Sequence, residues 1–398
     1  MPEAFVLAQV RTPRGKGSAR GALAAIAPGE LVRQLLATLL ARGVEADAVD
    51  DVVLGCASQL DAQGGNLARA AAIAAGLGAH AGGTMINRFC ASGLEAVAIA
   101  AARVRAGDCE LVIAGGVESV SQVPLFADRG PWWQDGVGRL HMGIAADLAA
   151  TVDGTPRAAL DDYAARTRAR ARAAATAGRL HAWTEPVRAA DGAIALDRDE
   201  LLDYAPTTDQ LAALPPAFAE LGAGGQDALA LAHAPGTVTG LAAIRHDHTR
   251  ASSPPLADAA ALLVIGTAEA AARHGLTPIA RVVAAASVAA DPVAMLTAGQ
   301  AAIVEVLARA GLAARDLAVI EFAEAFAALC LRLERDLDLD PARLNPDGGT
   351  LALGHAFGAT GAILAGNVAA HLARADGGHG VAAVSGAAGV GSAVLFAR

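Results

Sequence analysis

Residues 87–96 hold a cysteine in a setting that suits nucleophilic chemistry. Cys90 follows apolar Met85-Ile86, which predicts the end of a short strand, and precedes an alanine-rich helix predicted over about residues 91–106. A cysteine at a helix N-terminus lies near the positive end of the dipole and unpaired N–H groups, which favour the thiolate. A structural buried cysteine, the commoner kind, fits the same spacing. The motif by itself therefore leaves both interpretations open.

A second glycine-rich stretch repeats the order of parts seen around Cys90. Residues 82–93 and 348–361 both begin with Gly-Gly-Thr, pass through apolar residues and enter an alanine-rich helix. Each helix is followed by a predicted strand that ends in small residues. This similarity predicts two copies of one α/β unit that face each other, which would bring Cys90 near Gly354-His355.

Histidines are the other residues that could take part in chemistry. A neutral imidazole at His355 could accept the Cys90 proton or donate a hydrogen bond to an oxyanion. A structural histidine is the alternative, and the repeat makes it the weaker one. His246-Asp247-His248 lacks a third metal ligand at convincing spacing, so we interpret it as a surface loop and predict no metal site. His141-Met142 is placed at the edge of a pocket.

The elements that must position these residues alternate between strand and helix in both terminal parts of the chain. That alternation predicts an α/β fold with a mixed or parallel sheet. Residues 117–250 differ, because they hold all three Trp and both Tyr, and they predict an irregular, partly helical insertion. A helix predicted over residues 160–177 carries four arginines, for which a solvated face is favoured over a phosphate-facing surface; they are Arg166, Arg168, Arg170 and Arg172.

The amino-acid composition limits the classes of protein to which this chain can belong. The 398 residues are 54% hydrophobic, which allows two or three domains with an ample core. A net charge of −9 argues against a nucleic-acid partner. Four cysteines without a Cys-x-x-Cys motif fit a reducing compartment. We find no signal-peptide pattern and no uninterrupted apolar run that would span a membrane, so the sequence predicts a cytoplasmic protein without membrane partners.

The motifs together resemble those of the thiolase family across essentially the whole chain. The resemblance rests on the segments around Cys90, after Leu111, at Asp258 and around His355, namely residues 87–96, 115–121, 258–261 and 345–361. It implies a thiolase fold, with two pseudo-symmetric βαβαβαββ halves in five layers plus a loop domain. The implied boundaries are 1–120 with 251–272 for the N-terminal half, 121–250 for the CoA-binding loop domain, and 273–398 for the C-terminal half.

The resemblance also implies an activity and a set of site residues. It implies an acyltransferase of the acetyl-CoA C-acyltransferase type, with acyl-CoA and CoA as substrates, no separate cofactor, and a homodimer or homotetramer. It implies that Cys90 is the nucleophile, that His355 activates it, and that Ser385 stands where a second catalytic cysteine is expected. Substrate-binding positions implied in the same way are His141, Met142, Ser253, Phe326 and Ala387, the last through a backbone oxyanion hole.

Three single positions and one short segment depart from the family pattern. Ser385 replaces the second cysteine, and Ala323 replaces a polar residue before Glu-Ala-Phe that orients a water. Ala356 replaces a proline, and Ser252-Ser253-Pro254-Pro255 replaces a Ser-Gly pair that lies against CoA. We therefore expect an intact acylation half and a damaged or rebuilt enolate half, with slow or altered turnover. The alternatives are an acyl-enzyme that transfers to water, an amine or another carbon nucleophile, and a non-catalytic acyl-CoA-binding protein.

Overall fold

The computed structural model describes residues 2–79, 81–125, 127–128, 130, 133, 136–234 and 240–398. The strands of this described part are β1 Ala4–Arg11, β2 Gly15–Lys16, β3 Asp51–Gly55, β4 Thr84–Ile86, β5 Leu111–Glu118, β6 Val187–Arg188, β7 Ile194–Leu196, β8 Ala257–Gly266, β9 Ala280–Ala289, β10 Leu317–Phe322, β11 His379–Ser385 and β12 Val390–Ala397. The helices are α1 Pro28–Ala41, α2 Leu67–Ala75, α3 Ser92–Ala106, α4 Met142–Val152, α5 Arg157–Thr176, α6 Thr208–Ala212, α7 Ala219–Leu221, α8 Asp227–His233, α9 Ala268–Arg273, α10 Ala298–Ala310, α11 Ala327–Asp336, α12 Thr350–Leu353 and α13 Phe357–Ala375.

One mixed sheet carries the duplication that the sequence predicts. Its order is β10-β11-β12-β9-β1-β8-β5-β3-β4, with the short β2 paired to β8. In the N-terminal half β3 and β5 are parallel, while β5, β8 and β1 pair antiparallel. In the C-terminal half β10 and β11 are parallel, while β11, β12 and β9 pair antiparallel. The two halves thus share one pairing pattern, and β1 joins β9 between them.

Helices cover both halves of the sheet and also fill the space between the halves. The apolar face of α1, with Leu31, Leu35 and Leu39, packs with α2 in one core cluster on the N-terminal half. Helix α10 contributes to a second cluster on the C-terminal half. Helices α3 and α13 supply a third cluster that both halves share. This layering confirms the predicted α/β thiolase fold class.

The close approach of the two central helices depends on residues without a side chain. A Cβ atom at Gly361 of α13 would overlap the backbone of Leu94 in α3, and one at Gly116 of β5 would overlap the carbonyl oxygen of Gly358. The sequence reads as a turn at Gly115-Gly116, and this prediction is wrong, since β5 continues through both glycines to Glu118. Glycine is needed there for helix approach, not for chain reversal.

A buried carboxylate ties the two halves together at the same place. Glu118 accepts hydrogen bonds from the backbone N–H groups of Ala57 (2.8 Å) and Gly358 (2.9 Å), and from Nε2 of Gln63 (2.8 Å). Burial raises the pKa of the Glu118 carboxyl, and these donors oppose that effect. One side chain therefore links the end of β5, the loop after β3 and the first turn of α13.

The region between β5 and β8 holds α4 to α8 and the hairpin β6–β7, and parts of the predicted insertion lie outside the described residues. Its arginine-rich helix α5 is not a solvated face. Arg168 is only 4% exposed and donates to the carbonyl oxygens of Ala164 and Ala251. Arg166 pairs with Glu334 of α11, and Arg170 donates to the carbonyl of Leu344. The solvated-face prediction is therefore wrong for these three arginines, because α5 packs against α11 and α12, whereas Arg172 is exposed as predicted.

The His246-Asp247-His248 segment is also packed inside the protein. Nδ1 of His248, which is fully buried, lies 2.7 Å from Oδ1 of Asp147, and Nδ1 of His246 lies 2.8 Å from Oδ2. Nε2 of His246 also contacts the carboxylate of Asp227. The surface-loop prediction is wrong, because these side chains fasten the chain before β8 to α4 and α8. Among the described residues no cluster of metal-ligand type was found, and no helix is both long and apolar enough to cross a membrane.

We predict that Gly116→Ala destabilises the protein by about 1–3 kcal/mol or more, because the new methyl group would push α13 away from β5. Chemical denaturation with urea measures the effect. Gly224→Ala is the matched control, since a Cβ there meets no atom within 4 Å. Equal unfolding free energies for the two variants would contradict the proposed role of the close approach.

Candidate active site

A tight turn places Cys90 just before α3. Phe89 has a positive φ of 50°, and the Ser92 hydroxyl accepts from the Arg88 N–H (2.8 Å) and donates to the Phe89 carbonyl (2.6 Å). Cys90 itself is only 2% exposed. The turn thus fixes the thiol at the junction between β4 and the central helix.

The electrostatic setting of Cys90 keeps the thiol protonated. Burial, followed by the charge of Glu118, raises the pKa of Cys90 to about 12, although backbone N–H groups of Cys90 and Ala387 contact the sulfur and lower it. The sequence prediction that the helix N-terminus favours a thiolate is therefore wrong, because the effect of burial on the pKa of Cys90 outweighs that of the local dipoles. The same two N–H groups form the backbone pair that the sequence predicts as an oxyanion hole.

His355 is held rigidly between two other segments. Its N–H donates to the carbonyl of Pro255 (2.8 Å), and its carbonyl accepts from the N–H of Ala257 (3.1 Å). The ring is 3% exposed, and Nδ1 lies 2.9 Å from the hydroxyl of Thr360. Nε2 is buried and has no hydrogen-bond partner among the described residues. Burial, followed by the charge of Arg14, lowers the pKa of His355 to about 3, so the imidazole is neutral.

Thr360 makes both uses of this imidazole available. Its hydroxyl oxygen also accepts from the N–H of Ala356 (3.0 Å), and its own hydrogen is free to point towards or away from Nδ1. When the ring proton is on Nδ1, the bare Nε2 can accept a proton from Cys90. When the ring proton is on Nε2, that N–H can donate to an oxyanion. The sequence reasoning missed Thr360, although it lies five residues after His355 in the first turns of α13.

A single cavity of about 880 Å³ brings the predicted residues together. Predicted site residues that line it are Cys90, His141, Met142, Ser253, Phe326, His355 and Ser385. Ala387 is not in the lining, but its N–H contacts the Cys90 sulfur. The cavity therefore connects the nucleophile of the N-terminal half with the histidine of the C-terminal half and with the loop region.

Ser385 occupies this cavity wall with its hydroxyl already engaged. Oγ donates to the carbonyl of Leu296 (2.7 Å) and accepts from the N–H of Gly299 (2.8 Å), at the start of α10. The residue is 1% exposed. Because the hydroxyl proton points at a backbone carbonyl, Ser385 in this arrangement anchors a helix and offers no proton to the cavity.

The neighbouring Glu324 organises the catalytic histidine block. It is fully buried and accepts from the Tyr163 hydroxyl (2.9 Å), the Thr167 hydroxyl (2.9 Å), Nδ2 of Asn345 (3.0 Å) and the N–H of Leu351 (3.0 Å). These bonds join α5 to the chain that leads into His355. A buried carboxylate with so many donors is well satisfied. Ala323, just before it, is buried and has no polar group to hold a water.

The remaining predicted residues form an aromatic wall of the cavity. His141 caps α4, with Nδ1 accepting from the Gly143 N–H (3.0 Å), and its ring lies 5.4 Å from that of Phe218. Phe218 in turn lies 5.9 Å from Phe326, which contacts His248. The hydroxyl of Ser253 is buried without a partner among the described residues, which leaves it available to a ligand.

The charged side chains among the described residues that line the cavity are all cationic: Lys16, Arg139, Arg168 and Arg250. A cleft of one charge sign concentrates ligands of the opposite sign. The sequence predicts only a basic loop over residues 11–21, and for α5 it favours a solvated face over a phosphate-facing surface. No spacing rule pointed to the cavity, because these cations come from elements far apart in the chain.

A buried thiol, a neutral imidazole, paired N–H groups at the sulfur and a cationic cleft define a site for acyl transfer from an anionic thioester. Residues 4–225 match the thiolase N-terminal domain, and residues 276–398 match the thiolase C-terminal domain. The chain belongs to the thiolase family and is an acyltransferase.

Individual relatives match the chain along its whole length. It is 34% identical over 426 residues to the 3-oxoadipyl-CoA/3-oxo-5,6-dehydrosuberyl-CoA thiolase of Escherichia coli K12, with 100% of both chains covered. It is 33% identical to beta-ketothiolase BktB of Cupriavidus necator, covering 100% of this chain and 99% of the relative. It is 31% identical to an acetyl-CoA acetyltransferase of Paracoccus denitrificans, with both chains covered fully.

The pKa values of the pair predict how Cys90 reacts with iodoacetamide. With the thiol pKa raised to about 12 and that of His355 lowered to about 3, no thiolate–imidazolium pair forms at rest. The alkylation rate should rise roughly tenfold per pH unit from pH 7 to 9.5, because the thiolate fraction rises by that factor below its pKa. Mass spectrometry of Cys90 peptides measures the rate, with Cys90→Ala as control. A rate that is independent of pH over this range would show a preformed thiolate instead.

Proposed function

We propose that the protein transfers acyl groups from acyl-CoA through a covalent Cys90 acyl-enzyme. The observation that carries this proposal is the shared cavity, which joins Cys90, its paired N–H groups and the neutral His355. In the proposed step the Cys90 sulfur attacks the thioester carbonyl carbon, and the bond from that carbon to the CoA sulfur breaks. The thiol proton passes through Nε2 of His355 to the leaving CoA thiolate.

The geometry supports this order of events. The high pKa of Cys90 means that proton transfer accompanies attack and does not precede it. Negative charge then moves to the carbonyl oxygen. Backbone N–H groups such as those of Cys90 and Ala387 stabilise that charge, and one such donor raises the rate roughly 100- to 1000-fold. The cationic cleft suits the phosphates of CoA, and the unpaired Ser253 hydroxyl suits its amides.

The second half-reaction is where we expect this chain to differ from ordinary thiolases. Carbon–carbon bond formation or thiolytic cleavage of a 3-ketoacyl-CoA needs a proton transfer at the carbon α to a thioester. The Ser385 hydroxyl is bound to Leu296, and Ala323 cannot orient a water. We infer that turnover with a carbon acceptor is slow, or that the acyl group passes to water, an amine or another carbon nucleophile.

A binding-only role is the alternative from another functional class. A protein that only binds acyl-CoA has no need of the fixed Cys90 turn or of the Thr360-supported imidazole.

We also infer a cytoplasmic homodimer or homotetramer. The family resemblance supports the oligomeric state, and the four free cysteines support the reducing compartment.

We expect acetyl-CoA to leave an acetyl adduct on the wild-type protein, and acetoacetyl-CoA, in a separate mixture, to leave an acyl adduct. Intact-protein mass spectrometry detects each adduct, and digestion should place it on Cys90. Cys90→Ala should bind the thioesters and gain no mass. CoA binding without any adduct in the wild type would favour the binding-only alternative.

The double variant Ser385→Cys with Ala323→Asn should gain at least about tenfold in thiolytic cleavage of acetoacetyl-CoA, because it supplies an acid–base group and a water-holding amide. The cysteine must turn towards the cavity, since Oγ of Ser385 lies 2.7 Å from the Leu296 carbonyl and 2.8 Å from the Gly299 nitrogen, too close for the larger sulfur atom. The loss of these two hydrogen bonds should cost about 1–3 kcal/mol of stability. Ser385→Ala with Ala323→Asn is the matched control. A double variant no faster than this control would contradict our account of the second half-reaction.

A further inference from the structure

A buried arginine near His355 has no role in the steps described so far. Arg14 is 2% exposed, and its Nη1 has no hydrogen-bond partner among the described residues. A buried guanidinium normally has a carboxylate or several carbonyls around it, because an unpaired buried charge is costly. The free-energy cost of burying the Arg14 charge therefore suggests that this charge has a function in the site.

The backbone explains how Arg14 reaches the site. Gly15 and Lys16 pair with Asp258 and Ala257 at the start of β8, and the main chain of His355 bonds to Pro255 and Ala257 from the C-terminal half. The segment at residues 255–258 thus connects residues 15–16 with His355. Lys16, two positions further along this extended segment, lines the cavity.

The nearest carboxylates offset this cation only in part, and none of the described ones forms an ion pair with it. Both oxygens of Asp199 bind Arg11, at 2.8 and 3.0 Å, and Asp199 reaches Arg14 only through the backbone N–H (2.8 Å). Glu324 is held by donors from other elements. Burial raises the pKa of Glu321 to about 8, so that group is protonated at neutral pH. Arg14, whose pKa burial lowers to about 10, remains charged.

We propose that Arg14 is a positioning residue whose unpaired positive charge keeps His355 a neutral hydrogen-bond donor and stabilises the anion that forms beside it. The charged and titratable groups that act on Arg14 are Asp199, Arg11, Glu321, Glu324 and His355. A positive field at His355 favours an oxyanion or enolate at the same place, and it favours release of the Cys90 proton from the imidazole to the leaving thiolate. Arg14 thus supplies part of the stabilisation that Ala323 and Ser385 do not.

The inference rests on the proposed function, because it needs the acyl thioester to occupy this cavity. The test uses the full-length Cys90→Ala protein with acetoacetyl-CoA, whose enolate absorbs in the near ultraviolet and which this variant cannot consume. Titration of the bound ligand gives the pKa of its α-carbon. Adding Arg14→Met to the Cys90→Ala protein should raise that pKa by about one unit, because the positive field is lost. The enolate fraction at a fixed pH below this pKa then falls about tenfold.

Arg14→Lys keeps the charge and should hold the bound enolate pKa within about 0.5 unit of the parent. Arg281→Met removes an arginine from the exposed ion pair with Glu3 and should leave the pKa unchanged. Thermal melts check folding, and Arg14→Gln replaces Arg14→Met if the latter does not fold. An unmoved pKa in Arg14→Met, or equal shifts in the Met and Lys variants, would overturn the role of Arg14. Failure of the Cys90→Ala protein to bind acetoacetyl-CoA would instead overturn the proposed function itself.

Discussion

The contact between α3 and α13 is the constraint on which the rest of the structure depends. Each helix begins at one part of the active site, Cys90 for α3 and His355 for α13, so their spacing determines whether the two residues share a cavity. The glycines at the crossing permit that spacing, and the buried carboxylate of Glu118 ties the two halves through Ala57 and Gly358. A duplicated α/β unit thus becomes a single site because its two copies meet face to face.

The Glu118 carboxylate also affects how readily Cys90 ionises. Glu118 supports the helix crossing, yet its charge is the second cause, after burial, that raises the pKa of Cys90. The N–H groups of Cys90 and Ala387 act in the opposite direction. In the proposed mechanism, such a site holds Cys90 as a thiol before attack. A thiol is also less readily oxidised than a thiolate.

Much of the fold could be predicted from the sequence, because the features that specify it are local. The alternation of strands and helices, the Gly-Gly-Thr repeats and the Cys90 turn all appear within short windows. The errors have one physical origin, namely partners that are distant in sequence. The sequence predicts a turn at Gly115-Gly116, but α13 lies against Gly116. It predicts a solvated Arg168, but α11 and α12 pack against the helix that carries this residue. Arg14 was missed for the same reason, whereas Thr360 lies only five residues from His355 and was missed because its hydrogen bond to Nδ1 depends on side-chain geometry.

Ser385 has a structural role at the position where the resemblance implies an acid–base group. Its hydroxyl donates to the carbonyl of Leu296 and accepts from the N–H of Gly299, so it anchors the start of α10. Its replacement by cysteine therefore requires breaking two hydrogen bonds as well as adding a thiol. Arg14 is compatible with such a rebuilt site, since a diffuse positive field stabilises any anion in the cavity without specifying where a proton goes. A site organised in this manner is better suited to forming an acyl-enzyme than to directing it towards one carbon acceptor.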